Sequence, residues 1–289
     1  MYEKQVTAAL QKALAEIRVE IAALYEKYSV NGVLTVSERA AAVRVAKVER
    51  MIVTELNTAL RTNIATMRTI HPEMYQDAFL HTAWSIDQTG GIRLVYERLN
   101  LRAIRENLAS REFADALSRY PPVQRGRIRE AVNRGLIRGK GYRDMMEDLK
   151  EALGMTRGDA FRIVRTEGQR AANAGNAAAF AEAEGQGVEG KVIWVATKDD
   201  RTRDQHAAMD GVERGGDGQF VMPNGERATH PLDSALSAEN SIHCRCGTRF
   251  EIDGYAPQLM RTREGGIAPY QPYTEWAADQ GRPVSVRVG

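Results

Sequence analysis

Residues 157–184 read RGDAFRIVRTEGQRAANAGNAAAFAEAE, and Gly185-Gln186-Gly187 closes the stretch. Phe161, Val164, Glu167, Ala171, Ala174 and Ala178 recur at steps of three and four, which places them on one face of a helix. The alanines on that face allow another backbone to come close. Glu167 shares the face, so its carboxylate calls for a cationic or N–H partner, and Arg170 lies three residues on. Beyond the glycines the pattern changes to strand in KVIWVA (191–196) and again in GTRFEI (247–252), with loop-rich sequence between. A helix followed by two separated strands predicts a small α+β domain over residues 156–253.

Upstream, everything reads as helix. Val6, Leu10, Ala13, Ile17, Ile21, Leu24 and Tyr28 form a stripe over residues 2–28, and Asn31-Gly32 breaks it. Thr35-x-x-Glu38 has the form of a capping box. The next helix carries Val45, Val48, Ile52, Leu56, Ala59 and Met67 and is expected to end near His71-Pro72. Residues 73–88 and 92–109 give two more helical segments, and Pro121-Pro122 is read as the start of another. The expected architecture is therefore an elongated N-terminal helical region (1–155), the α+β domain (156–253) and an extended or partly disordered tail rich in Gly and Pro (254–289).

Charge and composition narrow the function. The 289 residues are 43% hydrophobic and 27% charged, a globular composition, and the net charge is only +2. Between Gly91 and Arg143, however, thirteen Arg or Lys face five Asp or Glu. Arg125, Arg127, Arg129, Arg134 and Arg138 are the candidates there for a DNA contact; the competing reading is a solvated helix face. Aromatic residues are too sparse in that stretch for a single-strand stacking platform, and GLIRGKGY (135–142) lacks phosphate-loop spacing. No apolar run approaches a membrane span and the N-terminus is not of signal-peptide type.

His206, His230, His243, Cys244 and Cys246 fall within 41 residues, and these are both of the cysteines and three of the five histidines. Thiolates and imidazoles suit tetrahedral zinc. The reading is one structural zinc held by Cys244, Cys246, His206 and either His230 or His243, in a segment whose apolar content looks thin. The alternative packs the thiols as small hydrophobes, with His206 capping a turn and His243 exposed. Asp199, Asp200, Asp204 and Asp210 form an acidic cluster best read as caps of backbone N–H groups, and Asp210-Gly211 as a turn.

The order of these signals resembles the phage Mu F-like head morphogenesis family. The helix carries Arg165-Thr166-Glu167, then Arg170, Ala171 and Asn173; a strand carries Trp194; then come Asp200-Arg201-Thr202-Arg203, His206, Asp210-Gly211, Phe220 and His230-Pro231. The series closes on Asn240-Ser241-Ile242-His243-Cys244-Arg245-Cys246, where His243 replaces the Asn or similar polar residue usual before Cys-Arg-Cys. The resemblance implies a minor head protein inside the virion, assembled in the host cytoplasm. Its implied partners are the portal protein and a scaffold or major capsid protein, with roles in head assembly, DNA packaging or ejection. It implies no enzyme. Two enzymatic alternatives use residues on the page: an HNH-like nuclease with His206 as base and Asn240 and His243 at a metal, and ADP-ribosyl transfer with Glu167 as its acid.

Overall fold

The computed structural model describes residues 2–30, 33–34, 38–90, 94–96, 111–137, 142–253, 259–261 and 267–269. It is an α+β chain with a long helical N-terminal region. Helix α1 spans Tyr2–Tyr28, and β1 (Ser29–Val30) and β2 (Val33–Leu34) pair antiparallel on either side of Asn31-Gly32. Then follow α2 (Glu38–Gly90), α3 (Arg111–Ile137) and α4 (Tyr142–Gly185). Small elements complete the order: β3 (Gly190–Val195), α5 (Asp204–Ala208), β4 (Phe220–Val221), β5 (Arg227–Ala228), α6 (Ala238–Ser241) and β6 (Gly247–Ile252). In the tail, β7 (Leu259–Arg261) and β8 (Ile267–Pro269) pair antiparallel. Among the described residues no helix is long and apolar enough to cross a membrane.

Three helix boundaries differ from the sequence expectation. Helix α2 runs through Pro72 to Gly90, α3 begins ten residues before Pro121, and α4 is continuous through Gly154. A proline removes one N–H and disfavours the preceding turn, which is a cost of about 3 kcal/mol in a helix interior. Around Pro72 tertiary burial outweighs it: Ile70 and His71 are fully buried, and His71 is bonded to Glu167 of α4. Tyr120, just before the proline pair of α3, is likewise buried and hydrogen-bonded through its hydroxyl. The helix expected over 92–109 is described only at Leu94–Tyr96, which are not helical; the capping-box residues 35–37 lie outside the described residues.

The chain divides into two compact units, one of Met1–Thr69 with Glu112–Val164, the other of Ile70–Arg111 with Arg165–Gly289. The first is a helical core. Val6, Leu10, Ala13, Ile17 and Ile21 of α1 are buried as the stripe predicted, and Tyr25 joins them with its ring edge-on to Tyr142 at 5.6 Å. Leu56, Ala59, Leu60 and Met67 of α2, Ile128 and Ala131 of α3, and Met145, Leu149 and Ile163 of α4 complete it. Several of its buried polar groups are linked in series, although Asn63 Oδ1 has no partner among the described residues. Asn63 donates to the Tyr120 hydroxyl (3.3 Å), Thr156 donates to Gln124 (2.8 Å), and Gln124 donates to Asp159 (3.0 Å).

The second unit packs the C-terminal part of α4 against residues 70–90 of α2. Gly175 permits the close approach: a Cβ there would stand 2.4 Å from the Tyr75 carbonyl oxygen and 3.1 Å from the Phe79 nitrogen. Strands β3 and β6 pair antiparallel from Gly190↔Ile252 to Val195↔Gly247. The other edge of β3 is lined by the turn after Asp210, with Gly211 N–H donating to the Trp194 carbonyl and Trp194 N–H to that of Val212, both at 2.9 Å. Trp194 and Phe220 are fully buried, ring to ring at 5.2 Å, and Met209, Met222, Leu232, Leu236, Cys244 and Cys246 gather round them. The segment between the strands is thus better supplied with core than its sequence suggested, because Met209, Leu236 and the two sulfurs contribute to it.

Candidate functional site

The motif residues of α4 act as donors to two loops. Arg170 reaches the Leu232 carbonyl at 2.6 Å, and the Asn173 amide reaches the carbonyls of Pro231 (2.9 Å) and Cys246 (3.0 Å). Gln169 also approaches Cys246, and the Thr166 hydroxyl accepts from the His243 N–H at 3.4 Å. Glu167 is buried beside the His71 ring at 3.0 Å and the Arg170 guanidinium at 3.2 Å, the latter the cationic partner its position on the apolar face demanded. Arg165, by contrast, is exposed. One turn of α4 therefore fixes the loop at His230-Pro231 and the Cys-Arg-Cys loop together.

Beside those loops, His206, Cys244 and Cys246 converge. All three are buried and their ligand atoms lie within 4.8 Å of one another. His206 Nδ1 stands 3.4 Å from each sulfur, and its Nε2 stands 3.3 Å from Asn240 Oδ1. Helix α5 carries His206 inward; Asn240 sits in α6, whose Ser237 N-cap accepts the Asn240 N–H. The Cys246 N–H donates to Cys244 Sγ at 3.4 Å. Hydrogen bonding from Cys246 draws the Cys244 thiol below the usual range, while the same bond and burial push Cys246 up.

Between the cysteines, Arg245 turns outward to Asp199, with one pair of atoms at 2.7 Å. Those bonds from Arg245 hold the Asp199 carboxyl well below the usual range, helped by the Arg201 N–H. Asp210 receives the Ala196 N–H at 2.8 Å, so two members of the acidic cluster serve the backbone as expected. Asp200 is exposed, Asp204 opens α5, and Arg203 donates to the Ile242 carbonyl. A cleft lined by Thr197, Thr202, Arg203, His243 and the three converging residues leads in from solvent.

Of the five candidate ligands, the structure brings three together. His230 is buried elsewhere, its Nδ1 2.9 Å from the Pro231 carbonyl, and burial lowers its pKa. His243 is exposed at the cleft rim in a left-handed conformation (φ 59°), held there by its bonded N–H. The motif series named Asn173 without its bonding role, and no spacing signal marked Glu226, whose Oε2 accepts from Asn240 Nδ2 at 3.2 Å. Of the basic residues, Arg125 donates to Asn57 at 2.9 Å and Arg127 pairs with Asp159 at 2.7 Å. The side chains of Arg129, Arg134 and Arg138 lie outside the described residues.

Residues 126–249 match the phage Mu protein F like family. The chain is 28% identical over 282 residues to minor head protein GP7 of Bacillus phage SPP1, covering 95% of this chain and 91% of that protein. It is 26% identical over 247 residues to a protein of Enterococcus faecalis named NAD(+)–arginine ADP-ribosyltransferase EFV, covering 82% of this chain and half of that protein. No solved structure matches. The resemblance read from the motif series therefore holds, and its likeness to a phage head protein extends well beyond the motifs.

Proposed function

We propose that this relative of phage minor head proteins is itself a minor component of a phage head, acting at the portal vertex in head assembly, DNA packaging or DNA ejection. The observation that carries the reading is the near full-length match to the SPP1 minor head protein, which includes the helical N-terminal part that bears no motif. Residues 1–155 form the docking arm toward portal, scaffold or major capsid protein, and 156–253 the Mu F-like domain. The basic stretch from Arg125 to Arg138 adds a non-specific contact to packaged DNA. Mass spectrometry of purified particles is expected to find the chain in far fewer copies than the major capsid protein. Its absence from both mature particles and procapsids overturns the proposal.

The enzymatic readings have less support. The match to the ADP-ribosyltransferase spans half of that protein, and Glu167 is closed off by His71 and Arg170. Both ring nitrogens of His206 already face neighbours, the sulfurs on one side and Asn240 on the other, which suits a ligand better than a general base. Incubation of the purified chain with a nicotinamide dinucleotide and an arginine-bearing acceptor, and separately with plasmid and Mg²⁺, is expected to give neither transfer nor cleavage.

A further inference from the structure

Asn240 and Glu226 together dictate which nitrogen of His206 is bare. An ionised carboxylate accepts hydrogen bonds and cannot donate them. Glu226 is ionised, its pKa lowered to about 2 by the Ser237 N–H and by Asn240. Its Oε2 lies 3.2 Å from Asn240 Nδ2, so the amide must present its NH₂ to Glu226 and its oxygen to His206. The imidazole then carries its proton on Nε2, toward Asn240 Oδ1. Nδ1 is left with a lone pair, and that lone pair faces Cys244 Sγ and Cys246 Sγ at 3.4 Å each.

We infer that His206 Nδ1, Cys244 Sγ and Cys246 Sγ bind one zinc ion, and that Asn240, braced by Glu226, is the positioning residue that fixes the imidazole for it. A tetrahedral zinc with Zn–S near 2.3 Å and Zn–N near 2.05 Å separates N from S by about 3.6 Å. The two observed separations of 3.4 Å are within a few tenths of an ångström of that. The Cys246 N–H aimed at Cys244 Sγ stabilises a thiolate there, and two thiolates neutralise the divalent ion. The side chain between the cysteines, Arg245, lines the cleft and is paired there with Asp199. Imidazole held by an outer amide or carboxylate is the arrangement that sets tautomer and orientation at metal sites. Three protein ligands leave the fourth position to solvent from the cleft, where the closed four-ligand site expected from sequence would have had none. The site stands whether or not the chain is a virion component.

The experiment uses the full chain purified without chelators. Elemental analysis is expected to give about one zinc per chain, and replacing zinc with cobalt is expected to give the intense visible bands of a tetrahedral thiolate site. Cys246→Ser and His206→Ala should each abolish both signals. Asn240→Ala should weaken zinc binding 10–100-fold in a chelator competition, while the cobalt spectrum at saturation keeps its two-thiolate character. A purely structural part for Asn240 would lower the melting point of the metal-free protein and leave affinity unchanged. A folded wild-type chain that holds no zinc and shows no cobalt spectrum overturns the site. Unchanged affinity in Asn240→Ala overturns the positioning role.

Discussion

The side-chain amide of Asn173 lies 3.0 Å from the main-chain carbonyl oxygen of Cys246, and it donates to Pro231 as well. A residue of the long α4 helix thus holds in register two loops that are 58 and 73 residues away in sequence. Asn173→Ala takes a donor from two buried carbonyls, leaving Gln169 near that of Cys246 and the His230 ring near that of Pro231. Each lost bond costs on the order of 1–3 kcal/mol. The loss, read from urea denaturation, is expected to be about 3 kcal/mol; a change under about 0.5 kcal/mol contradicts the assignment.

Two glycines of α4 should respond oppositely to the same change. Gly168→Ala places a methyl at ordinary contact, 3.5 Å from Ile70 Cγ2, and should stabilise by about 0.5–1 kcal/mol through helix propensity. Gly175→Ala drives the methyl to 2.4 Å from the Tyr75 carbonyl oxygen, and should cost about 3 kcal/mol or more because backbone must move. Paired thermal melts check the opposite signs.

His230 makes stability depend on mildly acidic pH. Burial lowers its pKa; Arg170 adds to that, while Asp233 and the bond to Pro231 oppose it. With the folded pKa below the unfolded value near 6.5, the unfolded chain binds the proton first. Stability is full above about pH 6.5 and falls as pH drops below it. The melting point should decline between pH 7 and 5, and His230→Gln should flatten that slope. An unchanged slope in the variant rules out His230 as its source.

Arg125 and Arg127 are already engaged with Asn57 and Asp159. Replacing both by Ser is expected to lower stability by about 1 kcal/mol, since the Arg127 pair is half-buried and shared with Gln124. In the proposed DNA contact, which would then rest on Arg129, Arg134 and Arg138, the salt dependence of duplex binding is expected not to change. A shallower salt slope in the double variant would return these two arginines to the DNA interface.

Much of this was legible in the sequence because it is local. The three-and-four spacing of α1 and of α4, the strand patterns of β3 and β6, and the need of Glu167 for a cation all follow from short-range rules. The motif order alone places the chain near phage Mu F-like proteins. The helices run on through Pro72 and Pro121 for the converse reason. Proline is a local stop signal, and what outweighs it is burial against residues far along the chain.

The sequence by itself determined most element types, the buried stripe of α1 and the clustering of His206, Cys244 and Cys246 within one segment. Only the tertiary structure decided which histidine meets the sulfurs. His206, His230 and His243 are equivalent as residue types, and the one that meets the sulfurs is the farthest from them in sequence. Their roles part because α5 turns the first inward, a Pro231 carbonyl takes up the second, and a left-handed backbone at the cleft rim leaves the third exposed. Hydrogen bonds between chain-distant groups set those positions, at Asn173 and Thr166 of α4 for the two loops and at Asn240 and Glu226 for the His206 ring, and partners so far apart leave no periodicity in a sequence to read.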